Sequence, residues 1–382
     1  MDFSVLAVIV LAGLVGPLLA LPRAWHVPVV VGELLVGIIL GGTGIDYLNA
    51  SDHTFSFLAE VGFGLVMFVV GTHVPVRDVN LRRSLGRGTA RAVLVGAGSA
   101  ILGVLLAAAF GTGHAALYAV LMASSSAALI LPIIDSLDLG GTHVLQLLPQ
   151  VAIADAACIV ALPLAIDPPH AGRAALGALA VILTGAAVFA ILLLLERKGF
   201  RRRFHLLSEE RHFALELRTS LMILFSLAAV AGRSHVSVML AGFVFGLAVA
   251  AVGEPRRLAR QLFAVTEGFF APLFFVWLGA SLDLRALGTR PTLILLGLLL
   301  GAGALLSHSL TRLAGQPLNL SSLAAAQLGV PVAAATLGTS LKVLQPGESA
   351  ALILGALVTI AAATIAGGLA ARKQRVNTVP KD

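Results

Sequence analysis

One acid in this chain has a setting that calls for a chemical explanation. Asp155 lies in Gln150-Val-Ala-Ile-Ala-Asp155-Ala-Ala-Cys158-Ile-Val, with apolar residues on both sides. In the centre of a membrane helix an ionised carboxylate costs roughly 2.5–3.5 kcal/mol, and desolvation favours its neutral form. A carboxylate so placed can take up a proton and, after losing it, hold a cation. The plainer alternative is a protonated Asp that only packs and hydrogen-bonds. Two further runs bear on the choice. Met122-Ala-Ser124-Ser125-Ser126-Ala-Ala is followed by Pro132, and Gln327-Leu-Gly329-Val-Pro331-Val recurs much later. Proline removes a backbone donor from a helix, and serine hydroxyls can satisfy backbone groups freed by unwinding. Singly, each run fits an ordinary kinked helix. Together, and beside Asp155, they fit a pair of interrupted helices flanking a site.

Other polar residues fit quieter roles. Glu33 follows Pro28-Val-Val-Val-Gly32, and Glu60 opens another apolar stretch. Both are near enough to a membrane interface to snorkel or pair, which suggests gating or structure rather than ion ligation. Ser307 and His308 read as interfacial. Gly96-Ala-Gly98 and Gly301-Ala-Gly303 lie inside apolar runs with no strand before them, so they are not dinucleotide fingerprints. Cys158 is the single cysteine, which excludes a disulfide framework or a thiolate zinc site. With no nucleophile–base pair and no metal-ligand spacing, neither an enzyme nor a resident cofactor is expected.

The elements that must hold these residues follow from composition. Of 382 residues, 58% are hydrophobic and 12% charged, where soluble domains carry about 25% charged residues. The charges fall between long apolar stretches. That pattern excludes a cytosolic enzyme and a disordered chain, and describes an all-α polytopic membrane protein. A net charge of +7 reflects the loops of such a protein rather than a nucleic-acid partner. Met1–Leu21 has no basic leading segment and reads as a first span rather than a cleaved signal. Cutting at charge clusters and Pro/Gly turns gives thirteen spans, near 3–21, 27–43, 55–73, 90–111, 115–137, 146–166, 171–195, 213–231, 236–252, 264–283, 292–313, 321–343 and 349–371. Asp155 falls mid-way along the sixth. A polar segment, 372–382, follows the last.

Orientation comes from Lys and Arg alone. With the N-terminus outside, Arg173, Arg233, Arg285, Arg290 and Lys342 are the five of 26 that fall outside. The clusters Arg82-Arg83, Arg201-Arg202-Arg203 and Arg256-Arg257, with Arg87, Arg260, Arg372 and Lys373, all fall on the cytoplasmic side. One missed span would swap the sides of every later loop and erase the bias. Spans 1–6 and 8–13 then form two six-helix halves with span 7 as the link. The odd offset gives the halves opposite orientations, an inverted repeat of the kind secondary transporters use, with the site at the repeat interface.

Several segments resemble a known family. Pro28-Val-Val-Val-Gly32-Glu33-Leu-Leu-Val-Gly37-Ile-Ile-Leu-Gly41 is similar to the second-helix signature of the monovalent cation:proton antiporter-2 family, within the sodium/hydrogen exchanger superfamily. Phe57-Leu-Ala-Glu60-Val-Gly62 running to Phe68-Val-Val-Gly71 resembles that family's next helix. Phe269-Phe-Ala-Pro272-Leu-Phe-Phe-Val-Trp-Leu-Gly279-Ala-Ser-Leu-Asp283-Leu resembles a later one. The order of the motifs agrees along nearly the whole membrane region. The resemblance implies thirteen helices, a homodimer, and a core (about 90–170 and 291–371) moving against a dimerisation part (about 1–89 and 196–290). It places the ion-binding Asp on Asp155 and the crossing-helix hydroxyls on Ser124 and Ser125, with the breaks at Ser126, Gly329 and Pro331.

The chain departs from the family pattern in three places. Ala154 stands where many members carry a second acid. The eleventh span has no Lys or Arg in its apolar body, His308 being the nearest titratable group. Val330-Pro331-Val-Ala-Ala replaces the acid often found after the second break. What remains is one carboxylate with hydroxyls and carbonyls, oxygen ligands that suit a hard cation. The expected activity is exchange of Na⁺ or K⁺ for H⁺ across the plasma membrane, one for one and electroneutral. An organic-anion symporter on the same scaffold, or a non-transporting membrane sensor, also fits the stripped site.

Overall fold

A computed structural model describes residues 1–21, 29–72, 79–198, 215–234, 236–253, 256–282 and 284–378. Asp283 and the Arg201–Arg203 cluster lie outside the described residues. Regular structure among the described residues is helical throughout, since long apolar runs in a bilayer must satisfy their backbone groups within the segment. The first spans are α1 (Phe3–Gly13) with α2 (Val15–Ala20), α3 (Val29–Leu40) and α4 (His53–Thr72). Then follow α5 (Val79–Phe110), α6 (Ala115–Ala123), α7 (Ala127–Ser136), α8 (Thr142–Ile166) and α9 (Ala171–Arg197). The second half holds α10 (Leu215–Arg233), α11 (Val238–Val252), α12 (Arg256–Val265), α13 (Ala271–Ser281) and α14 (Leu284–Thr289). It ends with α15 (Pro291–Ser309), α16 (Leu318–Ala324), α17 (Gly329–Ser340) and α18 (Glu348–Thr378).

Among the described residues, ten helical stretches are long and apolar enough to cross a membrane, and Val29–Leu40 and Val238–Val252 are shorter apolar helices. With the broken pair α6–α7 they account for every expected span. Two boundaries move. The fourth span starts at Val79, well before residue 90. The last helix continues to Thr378 instead of stopping at 371. Arg372, Lys373 and Gln374 are good helix formers, and the Gln374 amide ties that extension to the Gly140 N–H (3.2 Å) and the Asp138 carbonyl (3.0 Å).

The chain divides into two compact units. Unit 1 comprises Met1–Leu18, Val29–Arg77 and His170–Ser281, and unit 2 comprises Leu19–Pro28, Asp78–Pro169 and Leu282–Asp382. In unit 1, glycines let helix backbones touch. A Cβ on Gly37 of α3 would stand 3.0 Å from the Gly279 Cα of α13, and one on Gly71 of α4 would stand 2.9 Å from the Gly246 Cα of α11. Phe63 and Phe274 stack at 4.7 Å beside these crossings. Between α12 and α13 the chain winds one π-helical turn, Thr266–Phe270.

Unit 2 carries both breaks. The first interrupts α6 and α7 at Ser124–Ser126, and α7 then runs through Pro132. The second interrupts α16 and α17 at Ala325–Leu328, ahead of Gly329. Pro331 lies in the first turn of α17, where a missing N–H costs no hydrogen bond.

Candidate functional site

The two breaks of unit 2 are joined directly. The Ser126 N–H donates to the Ala326 carbonyl at 2.8 Å, and the Ser125 hydroxyl donates to the Ala324 carbonyl at 2.7 Å. Each unwound strand thus supplies the other with partners that its own helix no longer provides. The Ser124 hydroxyl donates to the Leu121 carbonyl at 2.8 Å, closing the end of α6. All three serines are buried, each under 5% exposed. The Ser124 and Ser125 hydroxyls thus each give their single hydrogen to a carbonyl.

Asp155 is 5% exposed in the middle of α8, and its Oδ2 accepts the N–H of Ala127 at 3.2 Å. Ala127 opens α7, so the carboxylate sits at a helix N-terminus, where unpaired N–H groups and the helix dipole favour an anion. The repeat supplies a counterpart that sequence reading missed. Thr359 of α18 accepts the Gln327 N–H of the second break at 3.2 Å. Sequence separations of 28 and 32 residues from break to acceptor are nearly matched. The separations differ by four residues, about one helical turn, so carrying the first spacing over to the second break would have pointed to Gly355 instead. One break is therefore met by a carboxylate and the other by a neutral hydroxyl.

His308, next to the last residue of its helix, faces the protein interior. It is fully buried in α15. Its Nδ1 lies 2.9 Å from the Ala304 carbonyl, and its Nε2 lies 3.4 Å from the Ser125 hydroxyl. A carbonyl only accepts, so Nδ1 carries the proton. Helical register turned this residue inward, and sequence distance to the span's end did not reveal that. Ser307 is buried with it.

Glu33 and Glu60 belong to unit 1. Glu33 is 3% exposed on α3, while Glu60 is exposed on α4. Neither accompanies Asp155 in unit 2. A second polar cluster of unit 2 was also not anticipated. Glu348, at the start of α18, accepts from the Tyr118 hydroxyl at 2.7 Å and from the Gln345 N–H at 2.8 Å. His114 Nδ1 stands 2.7 Å from the same carboxylate. His114 precedes α6, outside the spans, and this hydrogen bond to Glu348 raises its pKa above the ordinary histidine value.

A helical chain with two crossed breaks and a carboxylate at one of them is an arrangement that can be compared with known proteins. Residues 6–371 match the family described as sodium/hydrogen exchanger, transmembrane. The chain belongs to the sodium/hydrogen exchanger family. It is accordingly a multi-pass membrane protein of a transporter family. It is 25% identical over 374 residues to the putative Na⁺/H⁺ antiporter YjbQ of Bacillus subtilis, across 92% of this chain and 60% of that one. It is 24% identical to the Na⁺/H⁺-K⁺ antiporter GerN of Bacillus cereus, across 70% of this chain and 69% of that one. The Na⁺/H⁺ antiporter NhaS5 of Synechocystis is 26% identical across 88% of this chain and 49% of its own length. The chain thus spans roughly half to two thirds of the length of these relatives. In fold it resembles the sodium proton antiporter MjNhaP1 of Methanocaldococcus jannaschii, with a TM-score of 0.68 at 17% identity over 97% of this chain and 98% of that one.

Proposed function

We propose that this exchanger-family protein moves Na⁺ or K⁺ against H⁺ across the plasma membrane by alternating access. The observation that carries the reading is Asp155, a buried carboxylate at the N-terminus of α7 where two interrupted helices cross. In its ionised form Asp155 binds one dehydrated cation, with the Ser124 and Ser125 oxygens and backbone carbonyls freed at the breaks completing the shell. In its protonated form it carries the proton back. Competition of the two ligands for one carboxylate couples their fluxes without any further device.

Unit 2 serves as the transport core and unit 1 as the scaffold of a homodimer, with the N-terminus outside and the C-terminus cytoplasmic. Ala154 supplies no second charge, so one cation exchanges for one proton and the cycle is electroneutral. The relatives named as Na⁺/H⁺ and Na⁺/H⁺-K⁺ antiporters support the choice of monovalent cations.

The test is ΔpH-driven exchange in proteoliposomes with Li⁺, Na⁺, K⁺ and Rb⁺, with the membrane potential free and then clamped. The expected result is cation-dependent proton flux that ignores the clamp. Flux that generates or follows a potential would remove the electroneutral claim, and the absence of any cation dependence would remove the function.

A further inference from the structure

Arg91 of α5 is a buried charge that ion exchange does not use. It is 2% exposed. Its Nη2 donates to the Ala314 carbonyl at 3.1 Å and to Gln146 Oε1 at 3.3 Å. Its Nε and Nη1 have no acceptor at all. Among the described residues no carboxylate pairs with it, and the charge that acts on it is another guanidinium, the exposed Arg87 one turn earlier. Buried charges are ordinarily paired, and unpaired buried donors are rare.

Two buried amides on the segments that Arg91 bonds are equally unsatisfied. Gln150 follows Gln146 by one turn of α8, on the same face, and is 1% exposed with neither amide atom bonded. Gln316, two residues past the Ala314 carbonyl that Arg91 holds, is 2% exposed and also lacks partners at both amide atoms. The Arg91 side chain reaches back toward the N-terminus of α5, as helical side chains do. That end of α5, where Arg87 stands exposed, is the end the Lys/Arg asymmetry assigns to the cytoplasm.

We propose that Arg91, Gln150 and Gln316 form a binding site for a phosphate oxyanion, brought either by a lipid headgroup or by free phosphate. The ligand neutralises the guanidinium and accepts from Nε, Nη1 and the two amide NH₂ groups. Guanidinium is suited to this role because it stays charged and offers several donors in one plane. Gln150 lies five residues before Asp155 on α8, about 7.5 Å along the helix, so occupancy changes the local potential on the path to that carboxylate.

The experiment uses the full chain, purified in a neutral detergent and melted at constant ionic strength. Inorganic phosphate is titrated against chloride, and phosphatidylglycerol is compared with phosphatidylcholine, for the wild type, Arg91→Gln and Gln316→Leu. A ligand held in the folded state at saturation raises Tm by about 5 °C. Stabilisation by free phosphate identifies a soluble ligand, and stabilisation by phosphatidylglycerol alone identifies a headgroup. Either response must vanish in Arg91→Gln. If that variant does not fold, Gln316→Leu decides, with an expected rise of about tenfold in the half-maximal probe concentration. No response in the wild type, or a response unchanged in the variants, overturns the site. The readout is binding, so it stands or falls independently of cation exchange.

Discussion

Replacing Asp155 by Asn separates the chemistry of the site from its architecture. The side chain keeps its size, and Asn Oδ1 can still accept the Ala127 N–H that Oδ2 accepts at 3.2 Å. A hydrogen bond to a charged acceptor contributes about 1.5–3 kcal/mol and one to a neutral acceptor about 0.5–1.5 kcal/mol. The substitution therefore sacrifices about 1 kcal/mol at that bond when Asp155 is ionised. Against this, a buried carboxylate carries a desolvation penalty of several kcal/mol that an amide avoids. The net expectation is a variant that folds with an unchanged or higher Tm. Its transport should fall to the background of empty liposomes, because an amide neither titrates nor neutralises a cation. Asp155→Glu restores the charge but moves it by about one C–C bond, 1.5 Å, away from its place at Ala127, so slow exchange is expected. The assay is a pH-sensitive dye in proteoliposomes under an imposed ΔpH, on variants first shown to melt cooperatively. Robust exchange by Asp155→Asn would refute the assignment of the carrier. A large loss of stability would refute the reasoning that the carboxylate is there for function rather than for packing.

Three further outcomes follow from the geometry. Ser125→Ala removes the hydroxyl bridging to the Ala324 carbonyl at 2.7 Å; it should cost about 1 kcal/mol and raise the half-saturating cation concentration several-fold in the same flux assay. Gly279→Ala should lower stability by about 1–3 kcal/mol, measured by thermal melting in detergent, because its Cβ would meet the Leu34 carbonyl and stand 2.9 Å from the Gly37 Cα. His114→Asn should lower Tm below about pH 6.5 and approach the wild type as pH rises. The folded-state pKa of His114 is raised by its hydrogen bond to Glu348, so its contribution is complete below the unfolded value and fades as pH climbs through the folded one. A Tm difference that grew with pH would reverse that sign.

Much of the fold was legible because a bilayer leaves few choices. Long apolar runs must become helices, so the spans followed from hydropathy; the first interruption falls on Ser124–Ser126, while the second falls on Ala325–Leu328, just ahead of Gly329 and Pro331, which open the next helix. Boundaries were less legible where basic residues extend a helix beyond the apolar run, as in α5 and α18. The expected tail became two more turns of helix for that reason.

By itself the sequence determined the class, the membrane helices, the two break regions and an acid mid-way along an apolar span, since each depends on local composition. Tertiary structure decided which polar groups meet. It tied Ser125 and Ser126 to carbonyls some 200 residues away, set Asp155 against the first turn of α7 and Thr359 against the other break, and turned His308 inward. Among the described residues, it also left Arg91 buried without an acid paired to it. Such pairings depend on helix register and crossing, where rotation by one residue, about 100° around the helix, exchanges a buried position for an exposed one. Hydropathy averaged over a span carries no record of that angle.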